Sequence, residues 1–264
     1  MQTTEQTTDV AYTQYQDFDS RAYLKEYYSG IIVDEQWLLE FLVEHLGKSS
    51  GVSTALDCGS GPVVSHLTPL AAKAQEIHVA EYLHVNRAEI SMWLDQHPDA
   101  YEWQTFTKEI LRLEGQASDS SAIDQREQLT RDRVTQVLPF DVRDKQPLGG
   151  KNSRQYPLVT AHYCADCVSP APSKWHEYAS HIMSLVESGG KLIMSTSGSN
   201  TSSKTGTFYR VVDQYFPQTQ VTPQDVLSCL RDNGFENLDM RVRQLPDSEE
   251  QGYDCLIFTC ATKR

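Results

Sequence analysis

Three short segments of this 264-residue chain carry residue types that could do chemistry together. Asp57-Cys58-Gly59-Ser60-Gly61-Pro62 follows a short apolar run. Glu81 ends a second run, Glu76-Ile77-His78-Val79-Ala80. Asp141 falls in a third, Leu138-Pro139-Phe140-Asp141-Val142. Two glycines one residue apart let a backbone turn tightly and approach a ligand, and the helix that follows offers free N–H groups. A dinucleotide fingerprint would carry a third glycine where Val64 stands, and Pro62 removes a donor from a pyrophosphate cradle. A carboxylate at Glu81 can accept two hydrogen bonds from ribose hydroxyls, and one at Asp141 can sit beside an adenine amine. Taken singly, each is equally a tight turn, a loop acid or a turn cap. Taken as successive strand ends they form one rim, and that rim fits an adenosine without a pyrophosphate. S-adenosylmethionine is such a ligand.

A rim of this kind needs a parallel sheet beneath it. The pattern predicts helices at 20–28 and from Asp34, read as an N-cap, to about Leu46, where Leu38, Leu42 and Leu46 recur every four residues. Strands are expected at 54–58, 76–80, 104–110, 138–142, 156–163 and 191–195. Helices are expected at 63–74, 85–96, 124–136, 174–187 and 223–233. Residues 114–128 read as a polar surface excursion and 195–207 as a flexible loop. Alternation of this kind predicts an α/β fold, a mostly parallel sheet with helices on both faces. The last two strands, 238–245 and 255–261, are expected to pair as an antiparallel hairpin. The whole reads as a single domain: a frayed tail to residue 17, N-terminal helices over 18–50, and a core from 51 onward.

Lys and Arg number 23 against 36 Asp and Glu, a formal net charge of −13. That sign argues against a nucleic-acid binder or an anionic-membrane docker. No segment has the roughly 20 apolar residues of a membrane helix, and the first residues do not read as a secretory signal. A cytoplasmic chain with six reduced cysteines is expected, Cys164 and Cys167 being packing thiols rather than a metal pair.

DCGSGP, the stretch 81–103 (EYLHVNRAEISMWLDQHPDAYEW) and 137–149 (VLPFDVRDKQPLG) resemble the nicotinamide, phenylethanolamine and indolethylamine N-methyltransferase family. RAYLKEYYSG (21–30) resembles that family's tyrosine-bearing lid, and the middle stretch is nearest the phenylethanolamine branch. The resemblance implies a Rossmann-like class I methyltransferase sheet of seven strands under an N-terminal helical lid. It implies S-adenosylmethionine as cofactor, S-adenosylhomocysteine as product and a monomer acting on a small-molecule amine. By resemblance, Tyr23 and Tyr28 fold over the cofactor and Gly59, Ser60 and Gly61 hold its aminoacyl part. Glu81 binds the ribose, Tyr82 lies near the adenine, Asn86 contacts the carboxylate end, Asp141 and Val142 meet the adenine, and Ala161 contacts the cofactor. Asp166 is expected as a substrate-binding and catalytic acid, and Glu249 and Glu250 as acids near the acceptor, Glu250 with a catalytic role. Tyr28, His162 and Tyr209 are expected in the acceptor wall.

The chain departs from the family in places. Ser195-Thr196-Ser197 stands where an acid follows the fifth strand, and the acid of the final hairpin is displaced. Two other classes are kept open: an NAD(P)-dependent oxidoreductase, disfavoured by the missing third glycine, and a non-catalytic binding protein on the same sheet.

Overall fold

The computed structural model describes residues 12–150, 154–199, 207–245 and 252–264. Its strands are β1 (Val52–Cys58), β2 (Ala74–Glu81), β3 (Val134–Pro139), β4 (Tyr156–His162), β5 (Val186–Gly198), β6 (Phe208–Val211), β7 (Gln214–Pro217), β8 (Phe235–Gln244) and β9 (Cys255–Lys263). Seven of them form one sheet in the order β3-β2-β1-β4-β5-β9-β8, and β6 pairs with β7 separately. β1 to β5 run parallel to one another in it, whereas β9 is antiparallel to both β5 and β8. The central strands are nearly continuous apolar runs: Ala55, Leu56 and Cys58 in β1, Ile77, Val79 and Ala80 in β2, and Leu158 and Val159 in β4 are all buried. That is the composition of strands covered on both faces.

The helices are α1 (Ser20–Tyr27), α2 (Val33–Gly47), α3 (Leu67–Ala71), α4 (His84–Leu94), α5 (Gln104–Leu113), α6 (Ser120–Arg133), α7 (Pro172–Ser184) and α8 (Pro223–Asp232). On one face of the sheet, Trp175, Tyr178 and Ile182 of α7 and Val226 and Leu230 of α8 pack on Leu192, Met194 and Ile257. On the other, Leu38, Phe41, Leu42 and Leu46 of α2 and Leu67 and Leu70 of α3 pack on Ala55, Ile77 and Ile193. A third cluster joins Leu24 and Tyr28 of the N-terminal segment to Trp93, Trp103 and Phe106, so that segment is anchored by aromatic burial.

Local chemistry explains several boundaries. Asp19 caps α1 by accepting from the N–H groups of Arg21 and Ala22. Thr222 and Asp225 form a reciprocal capping box on α8, with Pro223 at its first position. α2 begins one residue before Asp34, with Ile32 at the cap, so Asp34 and Glu35 lie in its first turn instead of at the cap.

The expected strand at 104–110 is the helix α5. Phe106, Thr107, Ile110 and Leu111 are its buried residues, and spacings of one, four and five place them on one helical face, not on alternate sides of a strand. Much of the expected surface excursion is α6, capped by Asp119, with Ile123, Glu127 and Thr130 turned inward. The expected loop at 195–207 begins as ladder: Ser195, Thr196, Ser197 and Gly198 pair with Phe258, Ile257, Leu256 and Cys255 of β9. The rest of it, 200–206, lies outside the described residues. Residues 12–17, expected in the tail, pack on the β6–β7 hairpin, with the Tyr15 and Phe216 rings 5.1 Å apart.

Candidate active site

β1 lies between β2 and β4, where the strand order reverses. At that point the connections leave in opposite directions and open a crevice beyond the strand ends. Register brings Cys58, Ala80 and Ala161 level, and the Gly59 N–H reaches the Ala80 carbonyl at 2.7 Å. A cavity of about 260 Å³ opens there, and its wall includes Gly59, Ser60, Gly61, Glu81, Tyr82, Asn86, Asp141 and Val142.

Asp57 builds the turn from below. It is buried, and its carboxylate accepts from Ser60 Oγ and Thr160 Oγ1, both at 2.5 Å. Burial pushes its pKa up. Gly59 and Gly61 have φ of +66° and +61°, the left-handed region that disfavours other residues. A Cβ on Gly59 would lie 2.3 Å from Cys164 Sγ, so the first thiol of the C-x-x-C motif closes the turn. All six cysteines are free.

Glu81 is 6% exposed. Its Oε1 accepts from the Leu83 N–H at 2.8 Å and Asn86 Nδ2 at 3.0 Å, and its Oε2 from the Gly61 N–H at 3.0 Å. A carboxylate has about four acceptor positions, so a hydroxyl can still be bound on the Oε2 side. Burial raises the Glu81 pKa and these three bonds partly oppose the rise. Asn86 is held from behind, because Ser20 Oγ of the lid donates to its Oδ1 at 2.6 Å. It therefore stands at the Glu81 end of the crevice.

Asp141 and Val142 lie in the loop just past β3. Arg143 grips Asp141 with Nε to Oδ1 at 2.8 Å and Nη2 to Oδ2 at 2.6 Å, and this holds the Asp141 pKa below the usual carboxylate range. The same guanidinium donates to the Tyr82 hydroxyl at 2.9 Å and lies 4.9 Å from its ring centre. Tyr82, half exposed, is thereby held at the rim.

The far wall is aromatic. Tyr23 lies 5.8 Å from Tyr28 and 5.1 Å from Tyr27, ring centre to ring centre, and Tyr209 stacks on Phe216 at 5.3 Å. His162 faces the cavity with Nδ1 3.0 Å from Ser195 Oγ, and burial drives its pKa well down. Beside it His66 approaches Glu35 Oε1 at 3.6 Å.

Two expected residues stand elsewhere. Asp166, in a single 3-10 turn after β4, does not reach the cavity wall. Its Oδ2 accepts from the Ser197 N–H at 2.9 Å, from the Ser197 hydroxyl and from Gln218 Nε2 at 3.2 Å, and these contacts turn it toward β5. Ser197, which it holds, does line the cavity. Ala161 is buried in β4 and packs into the core. Glu249 and Glu250 lie outside the described residues.

Sequence reasoning did not single out Glu35, His66 or Arg143. Arg143 carried a signal, two residues past an acid at a strand end. Glu35 and His66 carried none, because they meet only when α2 crosses the loop after β1.

The fit to S-adenosylmethionine rests on this arrangement: a glycine turn without room for Cβ, a buried acid with a spare acceptor position, and a second acid beyond the next strand. Comparison with known proteins agrees with it. The chain is 29% identical to phenylethanolamine N-methyltransferase of Sus scrofa over 265 residues, covering 95% of this chain and 90% of that protein. It is 27% identical to human nicotinamide N-methyltransferase, covering 83% and 82%. Among solved structures it resembles magnesium protoporphyrin IX methyltransferase (ChlM) from Synechocystis PCC 6803 with bound SAH, with a TM-score of 0.53, 15% identity and coverage of 92% and 94%. N-methyltransferase NodS from Bradyrhizobium japonicum WM9 in complex with SAH matches with a TM-score of 0.53, 11% identity and coverage of 94% and 93%. These two likenesses place the chain in the same fold. The model of the NNMT/PNMT/TEMT family matches residues 6–264, so the chain belongs to that family.

Proposed function

We propose that this chain is an S-adenosylmethionine-dependent N-methyltransferase that acts on a small-molecule amine in the cytoplasm. The observation that carries the reading is the meeting of the glycine turn, Glu81 and the post-β3 acid Asp141 on one cavity wall, in a chain matched by this family's model over residues 6–264.

S-adenosylmethionine, when bound, supplies an electrophilic methyl group on a sulfonium that departs as a neutral thioether. The chain's own part is to bind, orient and exclude water. Gly59, Ser60 and Gly61 offer backbone to the aminoacyl part, and Glu81 accepts from the ribose. Asp141, Val142 and the Tyr82 ring enclose the adenine end, and Tyr23 and Tyr28 bring the lid over the centre. Tyr209 and His162 bound the space left for the acceptor. An amine attacks only through a free lone pair, so the wall must align that pair and hold the ammonium proton until it leaves. Asp166 acts behind the wall, holding Ser197 in place.

Mass spectrometry on the purified chain, with S-adenosylmethionine and a panel of arylalkyl and heterocyclic amines, tests the reading. Formation of S-adenosylhomocysteine together with an amine 14 mass units heavier, the ~14 Da of one added CH₂, is expected. No binding of either adenosyl compound at millimolar concentration would refute it.

A further inference from the structure

Glu35 is 4% exposed and sits in the first turn of α2 with its side chain on the cavity wall. Its Oε1 accepts from Ser65 Oγ at 2.8 Å and lies 3.6 Å from His66 Nε2. Its Oε2 has no hydrogen-bond partner among the described residues. Asp34, adjacent to it, also lines the cavity, and burial together with Glu35 raises the Asp34 pKa. The nearby cation is His66. Burial works against its charge, but the Glu35 carboxylate more than offsets this and its pKa is raised. Arg143 is the single lysine or arginine among the described residues of the wall, and Asp141 occupies it at the opposite end.

A second observation points the same way. His162 is 6% exposed, its ring lies 4.7 Å from that of His66, and its Nε2 is buried with no partner. Burial disfavours its protonated form. In the tautomer whose Nδ1–H donates to Ser195 Oγ, the neutral ring presents Nε2 as an acceptor. Around these groups stand the rings of Tyr23, Tyr28, Tyr163 and Tyr253. A buried acceptor with nothing to accept is costly, and the Glu35 carboxylate beside it meets Ser65 and His66 through Oε1 alone. A guest with one positive charge, several N–H donors and a body that packs on aromatic faces would meet both needs. A metal ion is a poorer guest. Among the described residues the convergent set of possible ligands is Glu44, His45 and Asp239, and Glu35 and His66 are not in it.

We infer that Glu35 on the lid helix, with His66 behind it and His162 opposite, is a binding site for an organic ammonium group. The inference rests on the proposed function, under which two groups of this chemistry enter the cavity: the acceptor amine and the α-ammonium of the cofactor.

Calorimetry on Glu35→Gln separates the two. S-adenosylhomocysteine, its analogue without the α-amino group, and 2-phenylethylamine with its neutral counterpart 2-phenylethanol are the probes. An acceptor site predicts that Glu35→Gln binds S-adenosylhomocysteine within about twofold of wild type, yet binds 2-phenylethylamine at least about tenfold more weakly and 2-phenylethanol unchanged. A cofactor site predicts a loss of at least about tenfold for S-adenosylhomocysteine and none for the deaminated analogue. If Glu35→Gln keeps wild-type affinity for every probe, the inference is overturned. Failure of the wild-type protein to bind S-adenosylhomocysteine would instead refute the proposed function. Should Glu35→Gln not fold, a crystal of the wild-type complex with S-adenosylhomocysteine and 2-phenylethylamine decides. A nitrogen of either molecule within hydrogen-bond distance of Glu35 supports the site, and nitrogens held only by other groups exclude it.

Discussion

At the scale of single residues, the Glu81 side of the cavity depends on a few hydrogen-bonded atoms. Glu81 links the glycine turn to α4 and keeps an acceptor position for a hydroxyl, so removing it costs both preorganisation and a charge-assisted bond. Glu81→Ala is expected to weaken S-adenosylhomocysteine binding about 10- to 100-fold by calorimetry, since a hydrogen bond to a charged group contributes about 1.5–3 kcal/mol. An affinity within twofold of wild type would remove Glu81 from the site. Gly59→Ala acts differently. It combines a left-handed backbone with a Cβ 2.3 Å from Cys164 Sγ. The left-handed conformation alone costs about 1–2 kcal/mol, so thermal unfolding should come at least roughly 2–4 °C lower. A second change, Cys164→Gly, should recover part of that loss, because it removes the clash and leaves only the backbone strain.

The elements around the site divide into the sheet and N-terminal helices fastened to it by polar ties. Arg21 of α1 reaches Glu89 of α4 at 2.6 Å, and the Tyr101 hydroxyl donates to the Tyr28 carbonyl at 2.8 Å. α2 is fastened to β8 by Glu44, whose two oxygens take Nη1 and Nη2 of Arg241 at 2.7 Å each. That fork, helped by Lys48, lowers the Glu44 pKa to about 2. A carboxylate with a depressed native pKa contributes stability above its unfolded value, and loses it as pH falls toward the native one. Stability measured by urea unfolding should therefore fall between about pH 4.5 and 2 through this group, and Glu44→Gln should flatten that limb. Both side chains are about a third exposed, which limits the effect to about 1 kcal/mol or less. An unchanged acid limb in Glu44→Gln would show that this tie carries no stability. The helix α5 shows how an element can be misread. Thr105, Phe106, Thr107 and Ile110 are strand-favouring residue types, but burial by Tyr28, Trp103 and neighbouring helices selected the helical face instead.

At the scale of the whole molecule, the strand order creates the crevice and residues of the N-terminal helices line it with those of the sheet ends, so under the proposed function a bound adenosyl ligand would touch both parts at once. Ligand bound to the native state alone adds about 2.7 kcal/mol at a hundredfold excess over Kd. For a chain of this size that corresponds to a rise of roughly 5–10 °C in Tm. Differential scanning calorimetry with S-adenosylhomocysteine should show it, and NAD at the same concentration should not. A shift with NAD would return the oxidoreductase reading to consideration. The β-strand alternation, the glycine turn, Glu81 and Asp141 were legible in the sequence because each depends on neighbours in the chain. An apolar run makes a buried strand, and the residues just past it stand at the sheet's carboxyl edge whatever lies elsewhere. Asp166 shows the limit of that logic. Its position after β4 was readable, but its direction was decided by Ser197 and Gln218, which lie 31 and 52 residues away. The meeting of Glu35, His66 and His162 is likewise a product of packing. Three residues from α2, the loop after β1 and the end of β4 share one buried space only because the apolar face of α2 must cover the sheet, and no local pattern records where that face will come to rest.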